Sequence, residues 1–197
     1  MLLKARLLKK PFLFLVIGVP GSGKSTVARA LCRAIQDSSY ISKDMFQSVF
    51  TKTRLETEEY EKVRKPTVEF LLAYAGEQLR LSKSPIIDAP YSINAWRADE
   101  YANFAGIYAK VAHGANSKLI IIRCLPPSTA ELKRRISERN YPWDAWKLSH
   151  WDEFLEKEPI EIAVNHPHIL DVVPEEKKID SIVEEIIAYS SGLAENK

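Results

Sequence analysis

Residues 18–25, with the sequence GVPGSGKS, constrain the fold of this chain more than any other segment. They fit the pattern GxxxxGK(S/T) and lie between an apolar run at residues 12–17 and an amphipathic segment at residues 25–35. A strand, a glycine-rich loop and a helix in this order form a phosphate-binding loop (P-loop), whose backbone N–H groups bind phosphate oxygens at the helix N-terminus. The segment therefore predicts binding of a nucleoside triphosphate, with Mg-ATP as the expected form.

The residue types in the motif predict separate roles at the triphosphate. Lys24 is expected to reach the β and γ phosphates, the Ser25 hydroxyl to bind Mg²⁺, and Thr26 to lie near the α phosphate. The alternative is a glycine-rich turn with an exposed lysine, in which the eight fitting positions arise by chance. The other positions expected to bind the nucleotide are Gly18, Pro20, Gly21, Ser22 and Gly23.

Short apolar runs alternate with longer amphipathic segments, which predicts an α/β fold with a parallel sheet. The predicted strands cover residues 12–17, 40–41, 85–88, 118–123 and 168–173. The predicted helices cover residues 25–35, 94–113 with Gly114 as C-cap, 128–139 and 179–189, with fraying expected after residue 189. Residues 55–81 are predicted to form either one helix or two helices separated by a break at Pro66. Ser128 is expected to cap its helix in a capping box with Glu131. Five strands joined by right-handed crossovers give a doubly wound sheet in a single domain, residues 1–197.

Composition excludes several classes of protein. The chain has 197 residues, 46% hydrophobic and 27% charged, with a net charge of +2, which lacks the basic character of a dedicated duplex-DNA-binding domain. Two isolated cysteines, Cys32 and Cys124, predict buried thiols in a reducing compartment. Residues 1–10 resemble the start of a signal peptide, but the next apolar run leads directly into the P-loop. Because no apolar run approaches the ~18 residues of a membrane span, we expect a cytoplasmic protein.

Polar residues follow the carboxyl ends of the predicted strands, which is where doubly wound sheets bind their ligands. Asp44 follows the second strand, Asp88 ends the third and Arg123 ends the fourth. Asp44 can accept a proton from a hydroxyl, or it can cap a short helix. Asp88 can bind Mg²⁺, orient a substrate or end the strand in a turn. Arg123 is expected to be structural, and Lys43 to face solvent.

A P-loop alone does not name a reaction. The chain has neither the Asn-Lys-x-Asp nor the Asp-x-x-Gly segment of GTPases. Five segments together resemble the AAA_33 family of P-loop kinases, which includes polynucleotide-kinase-like members: GVPGSGKST at 18–26, ISKD at 41–44, PIID at 85–88, RCLPP at 123–127 and ELKRRISER at 131–139. The resemblance covers about residues 12–185. It implies a three-layer P-loop NTPase fold, with a five-stranded parallel sheet in the order 2-3-1-4-5, helices on both faces and a small helical lid at about residues 135–155.

The resemblance also implies catalytic roles at four positions. Lys24 holds the transferred phosphoryl group, Asp44 is the base, and Arg135 and Arg139 close over the phosphates, with Arg139 at the γ phosphate. The two arginines are four residues apart and therefore share a helix face. The alternative is a solvated helix on which Glu131 pairs with Arg135.

The segment at residues 141–154 is rich in aromatic side chains. Trp143, Trp146 and His150 fall at helical spacing, which is compatible with a lid that excludes water, a platform for a nucleobase, or a packed helix. His150, His166 and His168 lack the partners of a metal site, so no zinc is expected.

The sequence leaves the acceptor open between three hypotheses. The first is transfer of the γ-phosphoryl group of Mg-ATP to a hydroxyl of a small molecule. The second is a polynucleotide 5′-hydroxyl kinase, although nucleic-acid-binding members of the family tend to have an arginine where this chain has Gln47. The third is an ATP-binding switch or ATPase without a small-molecule acceptor. The sequence does not predict the oligomeric state.

Overall fold

The computed structural model describes residues 5–50, 57–91, 98–139, 141, 144–158, 160–174 and 177–195. In this part of the chain five strands form one parallel sheet in the order β2-β3-β1-β4-β5, which confirms the predicted topology. The strands are β1 (Phe12–Ile17), β2 (Ser38–Ser42), β3 (Ser84–Asp88), β4 (Lys118–Cys124) and β5 (Ile169–Val172).

Eight helices surround this sheet in the described ranges. They are α1 (Lys24–Ala34), α2 (Lys43–Gln47), α3 (Thr57–Arg80), α4 (Ala98–Gly114), α5 (Thr129–Arg139), α6 (Ala145–Ser149), α7 (Trp151–Lys157) and α8 (Ile179–Glu195). None of the described helices is long and apolar enough to cross a membrane.

Strand β1 is the centre of the core because helices cover both faces of the sheet. All six of its residues are fully buried, as expected of a central parallel strand. Leu13, Leu15 and Ile17 pack on the α3 and α4 side, whereas Phe12, Phe14 and Val16 pack on the α1 and α8 side. Alternate side chains of the strand thus fill the two cores. The buried strand also fixes the position at which the P-loop begins.

Of the one or two helices predicted between residues 55 and 81, the structure has one, α3, which is continuous through Pro66. Its later residues Leu71, Ala75 and Leu79 anchor it in the core. The Thr67 hydroxyl donates a hydrogen bond to the Val63 carbonyl at 2.7 Å, within the turn that contains the proline. Burial of the apolar face therefore outweighs the local cost of the proline.

Helix α8 continues beyond the predicted end at residue 189 to Glu195, because Leu193 and Ala194 pack against the core. Gly114 is the last residue of α4 rather than its cap, and Asn116 takes the left-handed conformation instead, with φ of 53°. The predicted helical residues 55–56 and 94–97 lie outside the described part of the chain.

Candidate active site

The P-loop follows β1 and has a backbone that only glycine accommodates at its first position. Gly18 has a φ of +154°, and a Cβ atom there would lie 2.6 Å from the Cys124 carbonyl oxygen and 2.4 Å from the Ser22 hydroxyl oxygen. Gly23 caps α1 with a φ of +90° and accepts hydrogen bonds from the Thr26 and Val27 amides. The two glycines turn the chain from strand to helix within the length of the motif.

Helix α1 presents its N-terminus to this loop. The first N–H groups of a helix lack intrahelical partners, and the first turn of α1 contains no acidic residue to compete for them. Lys24 is buried, with 5% of its surface exposed, whereas Ser25 is half-buried and Thr26 is exposed. A buried cation beside free amide donors is suited to a phosphate group.

Ser22, one of the predicted nucleotide contacts, stabilises the loop through its backbone. Its hydroxyl is fully buried beside Gly18 and forms no hydrogen bond with any described residue. Its amide donates to the Val19 carbonyl at 3.1 Å, which closes the turn at the tip of the loop. Gly18 and Pro20 are buried, and Gly21 is half-buried against α5.

Asp88 lies at the end of β3, next to the end of β1, where it pairs with Val16 in register. Its carboxylate is 1% exposed. Oδ2 accepts a hydrogen bond from the Tyr40 hydroxyl at 3.0 Å, but Oδ1 accepts none from the described residues. A buried carboxylate oxygen without a donor is costly, so a ligand that binds it recovers free energy.

The charges of Lys24 and Asp88 both act on the Cys124 thiol at the end of β4. Burial raises the pKa of Cys124 to about 12, while the charge of Lys24 lowers it and that of Asp88 raises it. Both charges therefore lie close to the end of β4. Cys124 and Cys32 are free thiols, the first buried and the second half-buried.

The residues predicted to bind Mg²⁺ supply suitable ligands. Ser25 carries a hydroxyl at the start of α1, and Asp88 has the unpaired carboxylate oxygen. Hydroxyl and carboxylate oxygens are hard ligands that Mg²⁺ prefers, and the ion keeps several waters. The two residues fit a site for this ion beside the P-loop.

Asp44 lies in α2, immediately after β2, and is exposed. The cap of α2 is Ser42, whose hydroxyl accepts from the Met45 amide at 3.4 Å, so the alternative of a capping Asp44 is wrong. Because β3 separates β2 from β1, the strand that precedes Asp44 lies about 10 Å, two strand spacings, from the P-loop strand. Lys43 is 5% exposed, so the expectation that it faces solvent is also wrong.

Helix α5 packs directly on the P-loop through its apolar face. A Cβ atom at Gly21 would lie 3.0 Å from Leu132 and 3.1 Å from Ile136. Ser128 caps the helix by accepting from the Glu131 amide at 3.1 Å. The described structure gives no second bond of the predicted capping box, and the Glu131 carboxylate instead pairs with Arg134 and Arg135.

The two predicted lid arginines lie in different surroundings. Arg135 Nη1 lies 3.5 Å from the Gly21 carbonyl oxygen and 3.9 Å from a Cβ position at Gly23, so it borders the loop. Pro174, which sequence analysis missed, borders Gly23 from the other side at 3.1 Å. Arg139 donates two hydrogen bonds to the buried Asp144, at 2.5 and 2.7 Å.

The aromatic segment forms a small core beneath α5. Trp146 stacks on His150, with ring centroids 5.1 Å apart, and Trp146 and Trp151 pack against a cluster that includes Val19 of the P-loop. This contact favours packing over the other two interpretations. Trp143 lies outside the described residues.

Residues 13–157 match the model of the AAA_33 family, described as an AAA domain, over more than half of the chain. The chain belongs to the AAA_33 family. A comparison with curated proteins finds no match.

Solved structures share the fold of this AAA_33 chain. A protein from Chloroflexus aurantiacus j-10-fl, provisionally assigned as a kinase, is 23% identical over 92% of this chain and 99% of its own, with a TM-score of 0.70. A gluconokinase from Sinorhizobium meliloti 1021 is 25% identical over 94% and 95%, with a TM-score of 0.51. A chain of the Pnkp1/Rnl/Hen1 RNA repair complex is 18% identical over 80% and 50%, with a TM-score of 0.51. The chain therefore has the fold of P-loop kinases.

Proposed function

We propose that this protein is an ATP-dependent phosphotransferase that moves the γ-phosphoryl group of Mg-ATP to a hydroxyl of a small molecule. The observation that carries the proposal is the arrangement along one edge of the sheet. A P-loop with the buried Lys24, a buried carboxylate at Asp88 and an exposed carboxylate at Asp44 follow three adjacent strands. Phosphoryl transfer needs a group that holds the phosphate, a metal ligand and a group that orients the acceptor hydroxyl, and these three elements can supply them.

The chain's own residues divide the reaction between them. The P-loop amides and Lys24 hold the triphosphate, and Asp44 accepts the proton of the acceptor hydroxyl. A new P–O bond forms to the acceptor as the bond between the γ phosphorus and the β–γ bridging oxygen breaks, leaving ADP. The proton passes from Asp44 to solvent in a later step.

Ser25 and Asp88 are the proposed ligands of magnesium, which when bound offsets the charge of the phosphate oxygens. Arg135 adds positive charge at the loop, a position supported by its approach to Gly21. Arg139 also stays in the proposed lid, but its pairing with Asp144 favours Arg135 as the direct phosphate contact in this arrangement.

The acceptor hydroxyl is proposed to belong to a small molecule for two reasons. The gluconokinase likeness spans almost the whole of both chains, whereas the likeness to the RNA repair protein covers half of that chain. In addition, Gln47 stands where the resemblance leads us to expect an arginine in kinases of nucleic acid. Transfer to a polynucleotide 5′-hydroxyl is the second candidate.

The test is acceptor-dependent ADP release across sugars, nucleosides, aminoglycosides and 5′-hydroxyl oligonucleotides. Turnover with a small molecule supports the proposal, and turnover with oligonucleotides alone supports the second candidate. For the active acceptor, Asp44→Asn is expected to lower kcat by roughly 10²–10⁴-fold, the contribution of a general base. Asp37→Asn makes the same change at the other end of β2, where Asp37 is exposed in a turn, and should leave kcat unchanged.

A regulatory protein with the same ATP site behaves differently in this test. It would hydrolyse ATP slowly without an acceptor, and Asp44→Asn would not change its turnover. Lys24→Ala would abolish nucleotide binding in either case. Intact turnover in Asp44→Asn together with loss of binding in Lys24→Ala would therefore contradict the phosphotransferase proposal and support a switch.

A further inference from the structure

Among the described residues, Tyr40 is the side chain that donates a hydrogen bond to the Asp88 carboxylate. The sequence did not predict this role for Tyr40. Strands β2 and β3 pair so that Ser42 lies opposite Asp88, and Tyr40 projects from the same face of β2 two residues earlier. The phenol hydroxyl reaches across to donate to Asp88 Oδ2 at 3.0 Å. The contact joins the two strands just below the proposed phosphate site.

The Tyr40 ring is held firmly enough to define this hydrogen bond. It packs against the core beside α1 and α8, and the Arg29 guanidinium lies 5.6 Å from the ring centroid.

The contact leaves the carboxylate asymmetric. One oxygen has a fixed donor, while the other is buried and accepts no hydrogen bond from the described residues. A carboxylate that served only to join β2 and β3 would gain from having both oxygens satisfied. An oxygen kept bare at the end of β3, next to the strand that leads into the P-loop, suits a ligand that arrives with the nucleotide. Metal-binding carboxylates are commonly oriented by such partners.

We propose that Tyr40 is a positioning residue that fixes Asp88 through Oδ2 and so presents Oδ1 to the magnesium of the bound nucleotide. The inference rests on the proposed function, because it assumes that the P-loop binds Mg-ATP. It assigns Tyr40 no contact with substrate. Loss of the Tyr40 hydroxyl is therefore expected to weaken the Mg²⁺-dependent part of nucleotide binding, which precedes any chemical step.

The experiment measures the affinity for ADP by calorimetry, with Mg²⁺ and with EDTA, in the wild type and in Tyr40→Phe. The phenylalanine retains the ring and its contact with Arg29 but removes the donor. We expect the factor by which Mg²⁺ tightens ADP binding to fall by roughly 10-fold, as for other residues that orient metal ligands. The affinity in EDTA should be unchanged.

Tyr189→Phe is the matched control, since it removes one phenol hydroxyl that contacts His168 at 3.2 Å in the region where β5 begins. It should leave the Mg²⁺ factor unchanged. Asp88→Asn should lower the factor at least as much as Tyr40→Phe. In the Asp88→Asn background the Tyr40 substitution should have little further effect, because the two residues act in series.

Three outcomes decide the inference. An unchanged Mg²⁺ factor in folded Tyr40→Phe would overturn it, as would a loss of ADP affinity that is equal with and without Mg²⁺. Circular dichroism shows whether Tyr40→Phe folds. If it folds poorly, Mn²⁺ titration by electron paramagnetic resonance compares the wild type with Asp88→Asn and tests the same metal ligand. Equal Mn²⁺ affinities of these two proteins would overturn the inference. A wild type that binds no ADP would instead contradict the proposed function.

Discussion

Gly18 is the residue at which the end of β1 and the end of β4 approach most closely. The Cβ position at Gly18 lies 2.6 Å from the Cys124 carbonyl, and this backbone atom belongs to a buried strand. A flexible side chain could move away from an added methyl group, but a strand carbonyl held in the sheet cannot. The glycine is therefore required by close packing as well as by its backbone angle.

Gly18→Ala is expected to destabilise the protein by about 1–3 kcal/mol, the usual cost of overpacking a core, and to weaken ADP binding. Gly192→Ala is the matched control, because nothing lies within 4 Å of a Cβ there and the residue is inside α8. It should be neutral or stabilise by up to about 1 kcal/mol, since alanine favours helix. Urea unfolding measures both. Equal stability of the two variants would show that Gly18 is not sterically required.

At the scale of single residues, the sequence predicts those residues whose chemistry depends on their spacing within a motif. The motif identifies Lys24 and Ser25 because each must follow the loop at a set distance in the chain. The roles of Tyr40 and Asp144 depend on tertiary contacts that no sequence motif identifies. Tyr40 meets Asp88 across 48 residues through strand register, which apolar patterning alone does not determine.

At the scale of elements, helix α5 is held in place by contacts at two points along its length. Its apolar face packs on the P-loop, and its last residue, Arg139, pairs with Asp144 just before α6. Asp144 is 1% exposed and also accepts from Lys147 at 2.8 Å. The carboxylate thus joins α5 to α6 and holds the helical segment beside the loop.

This pairing makes stability depend on pH. Burial alone would raise the pKa of Asp144, but the hydrogen bonds from Arg139 and Lys147 lower it below its ordinary value of 3.8. A lowered pKa in the folded state means that the carboxylate stabilises the protein above pH 3.8, and that this contribution is lost as pH falls through the folded-state pKa.

Asp144→Asn should therefore lower the free energy of unfolding by about 2 kcal/mol at neutral pH. The deficit relative to wild type should shrink as the pH falls below about 4. Asp152→Asn, an exposed change in the first turn of α7, should cost less than about 1 kcal/mol. Urea unfolding from pH 7 downwards measures the difference, and a deficit that is constant with pH would refute the electrostatic origin.

The sequence predicted the order of the elements well because apolar period and turn residues are local signals. All five strands lie where the apolar runs placed them, although β2 begins two residues earlier than predicted. The errors concern tertiary packing. The sequence left open a break at Pro66, but the buried residues beyond it keep α3 continuous, and the last residues of α8, predicted to fray, pack against the core.

At the scale of the whole molecule, the site is built from segments that are distant from one another in the sequence. The P-loop, Asp88, Cys124 and Pro174 follow four different strands, and α5 covers the loop from outside the sheet. An unfolded chain has no such arrangement. A nucleotide that binds here must therefore favour the folded state by mass action.

With Mg-ADP at 100 times its dissociation constant, the folded state should gain about 2.7 kcal/mol. For a domain of this size the gain corresponds to a rise in Tm of about 5–10 °C. Lys24→Ala should abolish the rise because it removes the buried cation at the phosphates, whereas Lys110→Ala, an exposed lysine on α4, should retain it. Differential scanning calorimetry at increasing Mg-ADP measures the three proteins. A rise that persists in Lys24→Ala would mean that the nucleotide binds at some other part of the molecule.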